Sequence, residues 1–115
     1  MKVHDFNYIF KVIEQTRRLE GTRNKVIVPF DGQDTAISEK TWQAALLASG
    51  AAIEACDAVM NGDYRNAFCA TRPPGHHAGI FGKTFHADDP QGHKACSNGF
   101  CFINNVAVAA AYLKS

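Results

Sequence analysis

The sequence has little of what marks several classes of protein. Its 12 Lys and Arg and 11 Asp and Glu leave a net charge of +1 with no basic stripe, so nucleic acid is not an expected partner. No apolar run approaches the roughly 20 residues that a membrane-spanning helix needs. The first ten residues lack a continuous apolar core followed by a small-residue cleavage site, so they do not resemble a secretory signal. We therefore expect an intracellular protein with no membrane partner.

Cysteine is also sparse. The four cysteines, Cys56, Cys69, Cys96 and Cys101, form no regular framework, which favours reduced thiols over disulfides. Cys56 and Cys69 lie on apolar segments and are predicted to be buried and unreactive. With 115 residues, of which 46% are hydrophobic, the chain is long enough for one globular domain at most.

Three segments carry apolar residues at helical spacing. The first runs from about Asp5 to Leu19. The second, over residues 38–60, is the clearest. The third runs from Val106 to Leu113, with Asn104 or Asn105 as its cap. Helices of this length, separated by extended segments, are the crossover elements of an α/β protein.

The second helix is predicted to begin after Ser38, whose hydroxyl is a good N-cap, and to end at 61–62, where Asn-Gly stops a helix. Trp42, Leu46 and Met60 fall on one apolar stripe, with a stripe of alanines beside it. That breadth predicts a helix packed on more than one side. Trp42 and Met60 are therefore expected in the core.

Two further segments have the pattern of strands. Residues 25–30 alternate weakly and include Pro29, which suits only an edge strand or an extended segment. Residues 65–71 are apolar in the middle and end before two prolines, as a buried strand does. The order of elements predicts a piece of an α/β fold, a parallel sheet with crossover helices, whose sheet is incomplete over residues 1–115.

The stretch "RPPGHHAG" holds the residues most able to do chemistry. Pro73 and Pro74 fix φ and stiffen the chain as it leaves the predicted strand, and Gly75 permits a sharp turn. His76 and His77 then follow at the carboxyl end of that strand, where α/β sheets place their ligand sites. Two adjacent imidazoles cannot both be protonated at low cost, so one stays neutral and accepts a proton. The pair suits general acid–base catalysis.

"RPPGHHAG" together with "NGFCFINNVAVAAAYL" resembles the histone deacetylase superfamily, most closely its class II branch. "DTAISEKTWQAALLASGAAIEACDAVMNG" and "VHDFNYIFKVIEQTRRLEG" are similar to the segments that precede that motif. The resemblance implies an arginase-like α/β fold and a zinc-dependent hydrolase that removes acetyl groups from lysine in histones or other proteins. It also implies roles in chromatin regulation and transcription repression, possible corepressor partners, and a location in the nucleus or cytoplasm.

The resemblance assigns roles to five residues. His77 matches the general base and acid, and His76 matches the histidine that helps to stabilise the transition state. Gly99 and Phe100 match the lining of the acyl-lysine tunnel. Asp34 falls near the place of a rim aspartate that grips the substrate backbone in some members.

The residues that hold the family's zinc have no match in this chain. The family's Asp-x-His pair, its later aspartate and its catalytic tyrosine would follow Ser115. A catalytic zinc needs three protein ligands, so we assign no metal ligand and expect the chain alone to be inactive. An acetylpolyamine or other small-amide hydrolase of the same superfamily is the nearest alternative. A non-catalytic fragment or interaction module is another.

Gly79 to Gly99 is predicted to be a long loop, and its part from Ile80 to Asn98 is the main departure from the family. It is expected to lie near the tunnel mouth, where it either selects substrates or is a disordered insertion. His86, His93, Cys96 and Cys101 have spacings that zinc permits, although they match no standard finger. For Cys101 a packed thiol is the simpler interpretation.

Overall fold

A computed structural model describes residues 2–21, 27–30, 34–84 and 96–115. In chain order its elements are helix α1 (Phe6–Leu19), strands β1 (Val28–Pro29) and β2 (Ala36–Ile37), and helices α2 (Thr41–Met60) and α3 (Asn105–Lys114). The three predicted helices are therefore all present, and their bounds differ from the predicted ones by a few residues.

Helices α1 and α3 begin at polar caps, and the cap of α3 is one of the two asparagines that the sequence predicts. The Asp5 carboxylate accepts a hydrogen bond from the Asn7 N–H at 2.9 Å. The Asn104 side chain accepts one from the Ala107 N–H at 3.0 Å. Each bond satisfies one of the amide donors that a helix N-terminus leaves without an intrahelical partner. Asn104, rather than Asn105, is thus the cap of α3.

Helix α2 does not begin at Ser38, so that prediction is wrong. The helix begins at Thr41, and Lys40 occupies the cap position without a side-chain cap bond. The Thr41 hydroxyl instead accepts a hydrogen bond from the Ser38 N–H at 2.8 Å. The Thr41 N–H in turn donates to the Ser38 carbonyl at 3.2 Å, which closes a turn ahead of the helix. The predicted end is confirmed, since Asn61 is the C-cap and Gly62 has a φ of +79°.

The buried face of α2 is its small-residue stripe. Ala45, Ala48 and Ser49 are buried, whereas Leu46 is 49% exposed and Met60 is 71% exposed. The expectation that Met60 lies in the core is therefore wrong, whereas Trp42 is partly buried and packs against the core cluster. Small side chains let the neighbouring backbone approach closely, and that approach turns the larger side chains of α2 outward.

The strands that the structure describes are short. β1 and β2 pair antiparallel over two residues each, with Val28 opposite Ile37 and Pro29 opposite Ala36. The predicted edge strand is thus confirmed only over Val28–Pro29. No parallel pair occurs within the described residues, so the predicted parallel sheet is not seen there.

The predicted buried strand at 65–71 is extended but exposed along most of its length, and Phe68 is 92% exposed. A strand needs a neighbour for its backbone hydrogen bonds, and no described residue pairs with this segment. The prediction that Cys56 and Cys69 are buried is wrong for the same reason. Cys69 is exposed and Cys56 only half-buried, because the apolar face on which they lie is uncovered.

The core lies between α1, the short ladder and the segment that leads into α3. Phe30 packs on Phe102 with ring centroids 5.4 Å apart, and the Tyr8 hydroxyl donates to the Phe102 carbonyl at 2.6 Å. The buried cluster comprises Tyr8, Val12, Phe30, Ile37, Ala45, Phe102 and Ile103. This cluster anchors the segment 101–104, against which the histidine turn rests.

One helix among the described residues, α2, is long and apolar enough to cross a membrane by length and composition. A single helix of this length and composition is weak evidence for a membrane span, since helices buried in the core of a protein can have the same length and composition. Here α2 packs against α3 and α1, and the Ser49 hydroxyl donates to the Asn105 side chain at 2.7 Å.

Candidate active site

The histidine turn is pressed against the start of α3. A Cβ added to Gly75 would overlap the Ile103 carbonyl oxygen and lie 2.7 Å from the Asn105 amide nitrogen. Glycine is therefore required here by close backbone approach rather than by φ. The Asn105 side chain donates to the Pro73 carbonyl at 3.2 Å. The Ala78 N–H closes the turn on the Gly75 carbonyl at 3.0 Å.

His76 and His77 project from this turn with exposed side chains. Their ring centroids are 4.3 Å apart, with 51° between the ring planes. The backbone of His77 is held on both sides: its carbonyl accepts from the Thr84 hydroxyl at 2.9 Å, and its N–H points at the Cys101 sulfur at 3.5 Å. The imidazoles are thus accessible while the backbone that carries them is bonded in place.

Gly99 and Phe100 form a second turn directly beside His77. Both have a φ of +64°, a conformation that glycine adopts without strain and that costs phenylalanine about 1–2 kcal/mol. A Cβ on Gly99 would collide with the His77 ring. The glycine therefore lets the second turn approach the imidazole.

Asp34 reaches the same turn from the far side of the ladder. Its carboxylate accepts from the Gly99 N–H, with oxygens at 3.2 and 3.4 Å. The structure thus brings together Asp34, Gly99 and His77, three residues that are far apart in sequence. Phe100 stands at the edge of the group, with its ring centroid 5.8 Å from the guanidinium carbon of Arg72.

Cys101 lies beneath the two turns. It is buried, and its thiol donates to the Gly99 carbonyl at 3.5 Å. Burial raises the pKa of the Cys101 thiol, although the backbone N–H groups of His77 and His76 act in the opposite direction. The packed, protonated thiol agrees with the simpler of its two sequence interpretations.

The described residues do not supply a metal site. They contain no group of three His, Cys, Asp or Glu side chains that could hold an ion. His86 and His93, predicted as possible ligands in the loop, lie outside the described residues. Of that loop, the structure describes only its two ends, where Thr84 and Cys96 form an antiparallel bridge. The described side chains therefore provide no ligand set for a zinc ion.

The sequence reasoning missed several residues that hold the site. Asn104 and Asn105 were considered only as caps, yet the Asn104 side chain also donates to the Ala78 carbonyl at 3.2 Å. His4 and Thr84 were not considered, and each is bonded to the histidine turn or the loop after it. The adjacent asparagines before a helix are the one signal that pointed here, because only one of them is needed as a cap.

Comparisons with known proteins agree with this geometry. The histone deacetylase domain family matches residues 1–115. Type-2 histone deacetylase 2 of Dictyostelium discoideum is 40% identical over 97% of the chain. Human polyamine deacetylase HDAC10 is 35% identical over 97%. Acetylpolyamine amidohydrolase of Mycoplana ramosa is 45% identical over 70%.

The crystal structure of the HDA15 HD domain superposes on 97% of the chain with a TM-score of 0.71 and 30% identity. That structure is a deacetylase domain, so the arginase-like fold class is supported for the part that the chain covers. The chain spans 7%, 14% and 19% of the three relatives and 26% of the HDA15 domain chain. The match of this family over all 115 residues places the chain in the histone deacetylase family.

Proposed function

We propose that this chain forms the acid–base half of a zinc-dependent protein-lysine deacetylase site, with His77 as the general base. The observation that carries the proposal is the meeting of His77, Gly99 and Asp34. A general base must lie within reach of its substrate. Because Gly99 has no side chain, its turn lies directly against the His77 imidazole.

His77 would accept a proton from the attacking water and return it to the leaving amine. Its ring is exposed and its backbone is held by Thr84 and Cys101, so the imidazole has solvent access with little backbone freedom. His76, stacked 4.3 Å away, is proposed to stabilise the charge that develops in the transition state. General acid–base catalysis of this kind contributes about 10²–10⁴-fold.

Phe100 and Asp34 would hold the substrate. The half-exposed Phe100 ring is proposed to pack on the aliphatic stem of an acyl-lysine. The Asp34 carboxylate already accepts from Gly99, yet a carboxylate has about four acceptor sites. It therefore retains the capacity to accept a further bond from a substrate backbone N–H.

Zinc belongs to this proposal as the group that the family generally uses, and in such enzymes it polarises the carbonyl and activates water. Its ligands are proposed to lie outside the described residues, since those residues hold no ligand cluster. The half-site alone is therefore expected to be inactive.

Acetyl-lysine in histones or other proteins is the proposed substrate, and an acetylpolyamine is the rival that two of the relatives' names suggest. The cation of Arg72 against the Phe100 ring supports the peptide. A polyamine brings further ammonium groups, which that charge repels. The Asp34 carboxylate carries the opposite charge and favours a cation, so kcat/KM for the two substrates decides between these effects. Corepressor proteins as partners, and a location in the nucleus or cytoplasm, are parts of the same proposal.

The test is acetate release by the enzyme that carries this chain, from an acetyl-lysine peptide and from an acetylated polyamine. We expect a higher kcat/KM for the peptide and a loss of about 10²-fold or more in kcat for His77→Gln. Glu54→Gln, an exposed change on α2, is the matched control and should be silent. A higher kcat/KM for the polyamine would overturn the substrate assignment, and an active His77→Gln would overturn the role of the base.

A further inference from the structure

The His4 ring lies between the loop that follows the histidine turn and the start of α3. Its Nδ1 is 2.9 Å from the Gly79 carbonyl oxygen. Its Nε2 is 2.9 Å from the Asn104 amide nitrogen, which donates to it. A carbonyl accepts only and an amide N–H donates only. Both bonds therefore form together only when Nδ1 carries the proton and Nε2 is bare.

Both partners of His4 belong to the framework of the site. Gly79 is two residues after His77, and Asn104 caps α3. The Asn104 side chain also donates to the Ala78 carbonyl at 3.2 Å. His4 and Asn104 thus bind the carbonyls of two consecutive residues, and the Asn104 N–H donates to the His4 ring, which joins the two residues to each other.

The surroundings keep the His4 ring in place. It is half-buried, and its centroid is 5.6 Å from that of Tyr8, whose hydroxyl donates to the Phe102 carbonyl. The next amide along, that of Asp5, donates to the Ile80 carbonyl at 2.8 Å. The chain before α1 therefore runs along the loop after the histidine turn and is bonded to it twice.

We propose that His4 is a positioning residue, and that its neutral, Nδ1-protonated imidazole sets the distance between the histidine turn and the α3 N-terminus. It acts through the backbone of Gly79 and Asn104 and does not touch the reacting atoms. The catalytic part of this inference rests on the proposed function of His77, whereas the tautomer and the two bonds do not.

The experiment compares His4→Gln, His4→Asn and His4→Phe in the full chain. The oxygen and nitrogen of a side-chain amide are spaced much like the two ring nitrogens, so Gln or Asn can donate to Gly79 and accept from Asn104. Phenylalanine keeps a ring and loses both bonds. The first readout is the tautomer of His4 in the unmodified chain, taken from long-range ¹H–¹⁵N spectra at pH 7. The second is the position of the His77 imidazole signals in the NMR spectrum of each variant.

We expect the Nδ1–H tautomer, shifted His77 imidazole signals in His4→Phe, and their return toward the original positions in at least one amide variant. With an acetylated substrate, His4→Phe should lower kcat by up to about 10²-fold with less effect on KM, as a misplaced catalytic group does. The amide variant should recover most of the loss.

An Nε2–H or a rapidly exchanging tautomer would overturn the inference. So would His77 imidazole signals that are the same in all four proteins, or amide variants no better than His4→Phe. If His4→Phe fails to fold, the tautomer and the amide variants still test the inference. An unmodified enzyme that releases no acetate would count against the proposed function while leaving the tautomer as a separate result.

Discussion

Replacing Gly99 with alanine tests whether the close approach of the two turns is what builds the site. The new methyl group would be strained by the φ of +64° and would also collide with the His77 ring. The strain of a left-handed residue costs about 1–2 kcal/mol. The collision is a separate effect, because the ring must rotate or the turn must move away from it.

Gly62→Ala separates the two effects. Gly62 has a φ of +79°, and a Cβ there would have nothing within 4 Å, so it carries the strain without the collision. In a domain of this size, 1 kcal/mol corresponds to about 4–8 °C in Tm. The strain of the left-handed backbone should therefore lower Tm by a similar amount in both variants, measured by circular dichroism.

Only Gly99→Ala should disturb His77. We expect its imidazole signals to shift in NMR spectra and kcat to fall by about 10²-fold in the enzyme that carries this chain, which is the scale for a catalytic group displaced by about 1 Å. If Gly99→Ala matched Gly62→Ala in Tm, His77 signals and kcat, the reasoning from the Gly99 contact would be refuted.

Three further outcomes are expected. Gly75→Ala should destabilise the chain by at least about 1–3 kcal/mol in urea unfolding, because backbone atoms of residues 103–105 meet the methyl group. Its control, Gly50→Ala on α2, should be neutral or stabilising by up to about 1 kcal/mol. Equal urea midpoints for the two variants would contradict the packing of the turn. Burial lowers the pKa of His4 below 6.5, with the Gly79 and Ile80 carbonyls opposing and no charged side chain contributing, so the unfolded chain binds the proton first as the pH falls. The stability that the neutral ring contributes should be complete above pH 6.5 and fall as the pH drops through the folded pKa. His4→Gln should therefore show a smaller loss of stability between pH 7.5 and 5. Iodoacetamide at pH 8 should label exposed Cys69 before buried Cys101, whose pKa is raised; mass spectrometry showing equal rates would mean that the thiol beneath His77 is open to solvent.

The helices and the reactive turn were predictable because their signals are local. Apolar spacing locates α1, α2 and α3 to within a few residues, and the prolines before His76 and His77 mark a stiff turn. The strand at 65–71 was not predictable as it stands in the structure. Its composition suits burial, but burial of a strand depends on neighbours, which no local pattern can supply.

The exposed side chains of α2 also show that burial depends on what the rest of the chain covers. Met60 and Leu46 lie on the stripe that periodicity assigns to the core, yet the neighbouring alanines face inward. Periodicity identifies two apolar stripes on this helix, and it does not say which of them the rest of the chain covers.

From its residues alone, this chain is recognisable as a member of the histone deacetylase family, with a histidine pair on a stiff turn, because covalent neighbours and short-range periodicity carry that information. The tertiary structure decided what surrounds the pair. Asp34 comes to Gly99, Gly99 to His77, and His4 to Gly79 and Asn104 only after folding. Contacts between residues 22 to 100 positions apart depend on how the whole chain packs.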